Sequence, residues 1–489
     1  MSILKKLAGQ TAIYGLSSIV GRFLNYLLVP LHTAVFLPAQ YGVITEMYSY
    51  VAFLIILLTY GMETAYFRFA SNDERPEAEV FSTTLVSLMV STTGAVVLSA
   101  LFAQPIAEWL LYPDNREYVL WFALIIGLDA VASIPLARLR AQNRPVVFAS
   151  VNIINVLINI ALNAFFLLYC MPKVAAGQGN WLTDALYDPS IGVGYVFIAN
   201  LVASAVKFLL LLPTMLSGTA RPQWSLLWPM LVYAAPLLVA GMAGMVNETF
   251  DRILLKRMLM PTLGVEGAMH EVGIYGACYK IGIVISLMVQ AFRYAAEPFF
   301  FAQQKEAGSR ELYARIMTWF TWVLSGTFLG VMLYIGLFQR LITNPVYWQG
   351  LQAVPVLLLA NIFLGMYYNQ SVWYKLSGRT GYGAALAIGG AVVTLVVNLT
   401  FIPTLGYMAS AWATLACYGS MIAASYLLGQ RHYPVPYHVG KLALFIAAGV
   451  GLWAVSMWLH VGQSTWWWAL NVPFLLAYLL ITFPALRRT

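Results

Sequence analysis

Long apolar runs follow one another along almost the whole chain, and only short polar connections separate them. A helix needs roughly 20 mostly apolar residues to cross the ~30 Å hydrocarbon layer of a bilayer, where only helices and closed barrels satisfy their backbone. The runs are far too long for barrel strands. Charged residues make up 9% of the 489 residues, against roughly a quarter in soluble domains, so lipid is the solvent of this chain.

This pattern predicts an all-α polytopic membrane protein with about fourteen transmembrane helices. We expect two parallel six-helix bundles, in residues 1–220 and 221–432, related by a pseudo-two-fold axis along the membrane normal. Two further helices occupy residues 433–489. The approximate spans are 8–36, 41–70, 79–104, 117–140, 146–171, 191–217, 226–258, 271–303, 312–338, 351–377, 381–402, 406–430, 440–460 and 465–485.

The basic residues between these spans predict the orientation. With Met1 in the cytoplasm, seventeen Lys and Arg fall on inside segments and five on outside segments, which follows the positive-inside rule. Both termini are therefore expected to be cytoplasmic. The outside residues are Arg116, Lys173, Lys256, Arg257 and Arg340.

An internal repeat supports the two bundles. Offsets of 231, 235 and 212 residues superimpose equivalent positions of the two halves in chain order. The matches are Gly42 with Gly273, Tyr48 with Tyr279, Ala65 with Ala296, Phe69 with Phe300, Arg140 with Lys375, Arg144 with Arg379, Asn163 with Asn398, and Gly194-Tyr195 with Gly406-Tyr407. The offset decreases to 212 residues after the outside loop MPKVAAGQGNWLTDALYDPSI. This decrease indicates that the second half lacks that loop. Parallel repeats of this kind are typical of transporters, whose substrate sites lie between the halves.

Charged residues inside the spans are the first candidates for function, because such groups are costly in lipid and pair with one another or face a cavity. The bases are Arg22, Lys207, Arg252, Lys280 and Arg293, and the acids are Glu46, Glu63, Asp129, Glu248, Asp251 and Glu297. A paired set could line a water-filled cavity or could simply hold helices together.

Spacing suggests partners for some of these groups. In NETFDRILLKR, residues 247–257, Glu248 and Arg252 are four apart and can pair, which leaves Asp251 for Lys280. Arg293 and Glu297 are also four apart, and Glu63 is a second candidate partner for Arg293. Arg22 has no acid within four residues, so its partner comes from another helix or from a ligand. We expect Lys207 to extend toward the cytoplasmic surface.

Asparagines recur at helical spacing along the fifth span, at Asn152, Asn155, Asn159 and Asn163. Such a stripe supplies hydrogen bonds between membrane helices or, alternatively, a polar wall for sugar hydroxyls.

Signatures of catalysis, metal binding and nucleic-acid binding are missing from the sequence. The five histidines show no HExxH spacing, no Walker A motif occurs, and the three cysteines lie apart without CxxC. The basic residues are scattered rather than clustered into a nucleic-acid groove. We therefore expect a transporter rather than an enzyme, without metal or cofactor and without a nucleic-acid partner.

Two segments resemble a known family. DRILLKRML with EVGIYGACYKIGIVISLMVQAFRYAAEPFF, and LPAQYGVITEMYSYVAFLI in the first half, are similar to the polysaccharide transporter family. This is the O-antigen flippase (Wzx-type) branch of the multidrug/oligosaccharidyl-lipid/polysaccharide (MOP) exporter superfamily. Asp251-Arg252 and Gly273-Ile274-Tyr275 carry most of the resemblance.

The resemblance implies alternating access between two lobes. The substrate would be a polyprenyl-pyrophosphate-linked oligosaccharide, carried from the cytoplasmic to the outer face of the bacterial inner membrane for cell-surface polysaccharide biosynthesis. The implied partners are this lipid-linked oligosaccharide, the membrane lipids and the polysaccharide polymerase machinery.

Residue chemistry then gives candidate roles. Arg22, Arg252 and Lys280 are candidates for the pyrophosphate, and Arg293, Asn155 and Asn159 complete the predicted substrate-binding set. The six acids form either a structural network or a site for coupling to a Na⁺ or H⁺ gradient.

Two other functions are open at this stage. A drug or cation antiporter of the same superfamily would favour acids in its cavity, whereas bases are nearly as numerous here. A membrane polysaccharide polymerase or ligase would carry a large outside loop with paired catalytic residues, and this chain offers only Asp184 and Asp188 beside Lys173.

Overall fold

The computed structural model describes residues 19–70, 76–218, 220–303, 306, 308–459 and 466–487, and these residues form helices without β-strands. Six side chains within the helices lie outside the description, namely those of Ala295, Glu297, Pro298, Phe301, Ala302 and Trp467. The predicted all-α fold is confirmed. The chain divides into two compact units, residues 1–253 with 263–270 and residues 254–262 with 271–489.

Unit 1 is built from the first eleven helices. They are α1 (Ile19–Val35), α2 (Pro38–Thr59), α3 (Met62–Ala70), α4 (Glu77–Leu101), α5 (Ala103–Trp109), α6 (Arg116–Ala141), α7 (Pro145–Ala164), α8 (Met171–Ala175), α9 (Trp181–Leu186), α10 (Gly194–Leu216) and the first part of α11 (Trp224–Gln303). A π-helix, Phe165–Cys170, joins α7 to α8, and a 3₁₀ turn, Pro189–Ile191, precedes α10.

Unit 2 contains most of the second part of α11 and all later helices. These are α12 (Ser309–Leu333), α13 (Ile335–Phe338), α14 (Val354–Gln370), α15 (Val372–Leu376), α16 (Gly381–Leu405), α17 (Tyr407–His432), α18 (Val439–Trp458), α19 (Trp467–Leu470) and α20 (Val472–Arg487). The 3₁₀ segments Gln339–Leu341 and Pro345–Ala353 lie between α13 and α14.

Twelve helices within the described residues are long and apolar enough to cross a membrane, and α1 is a shorter apolar helix. One of the twelve, Trp224–Tyr294, includes a non-helical residue, Gly264. The helix count of fourteen and the layout of the bundles stay predictions.

The predicted connection between the seventh and eighth spans is wrong in detail. Residues 259–270 are helical except at Gly264, whose φ of 71° and ψ of 176° lie in a region that essentially only glycine adopts. The two helical parts therefore meet at a kink at one glycine rather than at a loop. Of the surrounding residues, 254–262 pack with unit 2 and 263–270 pack with unit 1.

The linker before α11 is fixed to unit 1. The Ala220 and Gln223 amides donate to the hydroxyls of Ser82 (2.9 Å) and Thr83 (2.8 Å) on α4. The first turns of α11 then bury Leu226, Met230 and Ala234 in the apolar core of α3, α4, α6 and α10. Residues 224–253 thus belong to the first unit, and the lobe boundary expected at 220 stays a prediction.

The two units repeat the same local arrangement. In unit 1, α10 packs on α6 and α7, and in unit 2, α17 packs on α14 and α16. The aligned residues Asn163 and Asn398 are buried, and each side-chain amide donates to the carbonyl four residues earlier, at 2.8 and 2.9 Å. Each Oδ1 bonds a residue of another helix, His32 (2.9 Å) or Ser410 (2.9 Å).

The two C-terminal helices pack on one element of unit 2. Both α18 and α20 lie against α12 and against each other. The Trp322 indole donates to the Thr482 hydroxyl (2.8 Å), and the Tyr478 hydroxyl donates to the Trp322 carbonyl (2.8 Å). Gly326 leaves room for the Tyr478 ring, which a Cβ would approach to 3.2 Å.

Candidate functional site

The charged segment of α11 buries four polar residues. Asn247, Asp251, Arg252 and Lys256 are all buried, and Lys256 is completely inaccessible to solvent. Glu248 is exposed. Asn247 and Asp251 are four residues apart, as are Arg252 and Lys256, so the members of each pair are neighbours along the helix. The buried part of this segment therefore carries two cations and one carboxylate.

The partner of Arg252 differs from the expected one. Its Nη1 lies 3.0 Å from the Asp251 Oδ1 and also donates to the backbone carbonyl of Glu248. The same Oδ1 accepts the Arg252 amide at 2.9 Å. The predicted Glu248–Arg252 side-chain pair is wrong, because the adjacent Asp251 folds back onto the guanidinium while the Glu248 carboxylate points to the exposed side.

Two acids of unit 1 form ion pairs with bases on neighbouring helices. Glu63 pairs with Arg140, and the Asp129 carboxylate lies 2.7 Å from the Lys207 ammonium. The expectation that Lys207 extends to the surface is wrong, since an acid of α6 holds its ammonium inside the unit. Beside this pair, Asn200 donates to the Tyr48 hydroxyl at 2.9 Å.

Glu46 has a different environment. Its side chain is completely buried, and its Oε2 accepts the hydroxyl of Tyr112 at 2.5 Å. The same hydroxyl lies 3.6 Å from the Met269 sulfur, and an added Cβ on Gly42 would come within 2.2 Å of the Met269 carbonyl oxygen. Burial, reinforced by the Glu46 carboxyl, raises the pKa of Tyr112 well above its usual range, so Tyr112 remains a donor.

Arg138 forms a network that the sequence did not reveal. Its Nε lies 3.1 Å from the Glu77 Oε1, and the guanidinium donates to the carbonyls of Thr214 (3.2 Å) and Gly218 (3.3 Å) at the end of α10. Tyr66 donates to the same Glu77 oxygen at 2.5 Å. Counting charges along the sequence cannot show such a buried network of hydrogen bonds.

The remaining predicted bases are more exposed. Arg22 lies on α1 with an exposed side chain. Arg293 is also exposed and its guanidinium lies 5.1 Å from the centroid of the Tyr368 ring. Lys280 is half-buried. The Glu297 side chain, the predicted partner of Arg293, lies outside the described residues, and the Asp251–Lys280 pair stays a prediction.

The asparagine stripe of α7 divides into two roles. Asn163 and Asn152 make hydrogen bonds within the protein, and Asn159 accepts the Asn163 amide at 3.0 Å. The Asn155 amide nitrogen is buried and makes no hydrogen bond to the described residues. The predicted bond between helices is confirmed for Asn163, whose Oδ1 bonds His32 of α1. The Asn155 amide remains a donor that no described residue uses.

Among the described side chains, no three His, Cys, Asp or Glu residues are grouped so that they could hold a metal ion. The cysteines Cys170, Cys278 and Cys417 are buried free thiols.

The fold and the buried charges define a polytopic helical membrane protein whose chain divides into two compact units. A sequence model described as "Polysaccharide biosynthesis protein" matches residues 7–303, which is more than half of the chain. The chain belongs to this polysaccharide biosynthesis protein family, as the resemblance of its helices predicted. No curated protein matches the chain.

Solved structures show the same fold at low sequence identity. One is described as "Lipid II flippase MurJ, inward closed conformation"; the TM-score is 0.74 at 11% identity, covering 97% of this chain and 98% of that one. An inward-facing multidrug resistance MATE family transporter of the MOP superfamily gives a TM-score of 0.61 at 13% identity, covering 86% and 94%. An outward-facing MATE transporter gives 0.59 at 13%, covering 87% and 95%. The MOP-type fold is thereby shown.

Proposed function

We propose that the protein is a flippase that carries a polyprenyl-pyrophosphate-linked oligosaccharide from the cytoplasmic to the outer face of the inner membrane. The observation that carries this proposal is the burial of two basic side chains, Arg252 and Lys256, within the family's own segment, residues 247–257. Charged residues inside membrane helices often mark a substrate pathway. Guanidinium and ammonium groups are the side chains that bind phosphate oxygens.

The ion pairing of three acids weighs against a drug or cation antiporter. A cationic substrate requires carboxylates that can be exchanged between cation and proton. Here Glu63, Asp129 and Asp251 each contact a protein cation, which reduces their availability to a positively charged ligand. MATE transporters share the fold, but these pairings do not favour a cationic substrate.

Pyrophosphate binding falls to basic residues in this proposal. Arg22 is exposed on α1, and Arg252, Lys256 and Lys280 supply further positive charge from α11. Guanidinium groups bind phosphate oxygens through forked, charge-assisted hydrogen bonds. Asn155 offers an unused amide donor for a sugar hydroxyl. The polyprenyl chain needs no polar partner and can stay in lipid.

Among Glu46, Glu63, Asp129 and Asp251, we assign coupling to an ion gradient to Glu46. Its completely buried carboxylate accepts the Tyr112 hydroxyl, whereas Glu63, Asp129 and Asp251 contact Arg or Lys.

The experiment measures the sidedness of lipid-linked oligosaccharide in cells that lack the protein, using an impermeant periplasmic glycosidase. We expect complete units to accumulate on the cytoplasmic face and the wild-type protein to release them. Arg22→Ala and Arg252→Ala should each reduce release about tenfold or more, because each removes a charge-assisted contact worth roughly 1.5–3 kcal/mol.

Arg340→Ala is the matched control, since Arg340 is an exposed base in a short 3₁₀ segment. It should release glycan at the wild-type rate when expressed to the same level. Glycan that reaches the outer face normally without the protein, yet stays unpolymerised, would contradict the flippase and favour an enzyme.

A further inference from the structure

The outside loop between α8 and α10 is an insertion into the repeated architecture. The first repeat uses 31 residues from Asn163 to Gly194, whereas the second uses 8 from the aligned Asn398 to Gly406. In unit 2, α17 follows α16 after Gly406 alone. The repeat therefore folds without this loop. Loops placed on a rigid scaffold and not required by it are frequent carriers of binding function.

The loop is nevertheless folded tightly. The Asn180 carboxamide oxygen accepts the amides of Leu182 and Thr183, both at 3.1 Å, and caps α9. The Thr183 hydroxyl, completely buried, accepts the Asn180 amide at 2.7 Å. Tyr195 stacks on Tyr187 and its hydroxyl accepts the Asp188 amide at 2.6 Å. These bonds fix the loop at both of its ends.

A rare helical geometry holds α9 against the preceding helix. The segment Phe165–Cys170 is a π-helix, a form that often marks functional sites. It presents Tyr169, whose hydroxyl accepts the Asn180 side-chain amide at 3.0 Å. The Lys173 ammonium lies 4.4 Å from the centroid of the Tyr169 ring. The position of α9 is thus set by a side chain of the π-helix.

This scaffold presents an exposed tryptophan. Trp181 is the first residue of α9 and is 80% exposed, although its neighbours Asn180 and Thr183 are fixed. Asp184 follows three residues later and is also exposed. Hydrogen bonds from Ser190 lower the pKa of Asp188, so its exposed carboxylate stays ionised. The backbone that carries the indole of Trp181 and the carboxylate of Asp184 is therefore fixed before a ligand binds, which lowers the entropic cost of binding.

We propose that Trp181, with Asp184 and Tyr169, forms a carbohydrate-binding surface for the oligosaccharide. The C–H face of a sugar ring packs on the electron-rich indole face, and carboxylate and phenol oxygens bind its hydroxyls. The inference rests on the proposed flippase function, because the charge-based topology puts this loop on the side where glycan would be released.

Two other occupants fit the loop less well. An anionic lipid headgroup would meet the carboxylates of Asp184 and Asp188, which repel it. A stable protein interface buries about 800 Å² on each partner, and a single tryptophan on a six-residue helix offers a small fraction of that area. A glycan matches both the size and the mixed aromatic and acidic character of the surface.

The test uses the full chain in phospholipid nanodiscs and, as probe, the oligosaccharide released by mild acid from the lipid-linked pool of the producing cells. Binding is measured by saturation-transfer NMR. We expect Trp181→Ala and Trp181→Leu to weaken binding about tenfold, and Trp181→Phe to stay within about threefold of wild type, since phenylalanine keeps an aromatic face. Trp228→Ala removes an equally exposed tryptophan and should change nothing.

The leucine variant separates stacking from lipid anchoring, because leucine keeps apolar area and loses the ring. If Trp181→Leu binds the glycan as tightly as the wild type while Trp181→Ala does not, the proposal is overturned in favour of a lipid anchor. Variants of Trp181 that all bind the glycan as tightly as the wild type would also overturn it. The same holds if Trp181→Ala loses a copurifying protein but keeps its glycan binding. The sidedness assay on the same variants reports the flippase function separately, so either idea can fail alone.

Discussion

Single side chains in this protein take partners that only the three-dimensional fold can select. Arg252 contacts the adjacent Asp251 and the backbone carbonyl of Glu248 rather than the predicted Glu248 carboxylate. Lys207 pairs with Asp129 rather than extending to the surface. Sequence spacing lists the acids within reach on one helix. Spacing along the sequence gives no information on side-chain rotamers or on which acids of other helices lie nearby. The Arg252–Asp251 and Lys207–Asp129 pairs could therefore not be predicted.

Arg138 gives a prediction at this scale. Arg138→Ala leaves the Glu77 carboxylate and the carbonyls that end α10 without their donor, and breaking a buried pair costs about 3 kcal/mol. Since Glu77 is half-buried, part of that loss is offset by water. We expect the thermal unfolding midpoint of Arg138→Ala in detergent to lie several degrees below that of the wild type. The midpoint is measured by fluorescence-detected size-exclusion chromatography after heating. Arg144→Ala, at an exposed base nearby, should melt like the wild type, and equal midpoints for both variants would refute the role of Arg138.

Among the elements, the apolar helices were predictable and the kink inside α11 was not. Hydropathy over twenty residues locates a membrane helix because the bilayer sets its length. The polar residues of segment 259–270 predict a loop, yet the segment is helical on both sides of Gly264. One residue in an unusual backbone conformation leaves no periodic signal in the sequence.

Two glycines of α11 should respond in opposite directions to the same substitution. Gly264→Ala forces a Cβ into φ 71° and ψ 176°, which costs about 1–3 kcal/mol, and should lower the thermal midpoint. Gly244 is helical, and an added Cβ meets nothing within 4 Å, so Gly244→Ala should stabilise by about 0.5–1 kcal/mol. Both are measured by thermal denaturation of purified protein. A Gly264→Ala variant as stable as Gly244→Ala would show that the kink does not depend on a backbone conformation reserved for glycine.

Across the whole molecule, the repeat was visible in the sequence through matched residues, and the structure shows why those residues match. Asn163 and Asn398 occupy equivalent buried positions in units 1 and 2. Each side-chain amide donates to the backbone carbonyl four residues earlier in its own helix. Their outer partners differ, since His32 serves one unit and Ser410 the other. Alignment of the halves could identify the asparagines but not these partners, which are not repeated.

The two asparagines provide a test of how independent the units are. Asn163→Ala and Asn398→Ala each remove buried hydrogen bonds and leave a partner unpaired, so each should destabilise by about 1–3 kcal/mol. Each bond lies within its own unit, and distant, unshared sites add within about 0.5 kcal/mol. The double variant should therefore lower the free energy of unfolding, measured by denaturant titration in detergent micelles, by the sum of the single losses. A double loss well below that sum would mean that one unit unfolds first and sets the measured transition, so that the second substitution is not sensed.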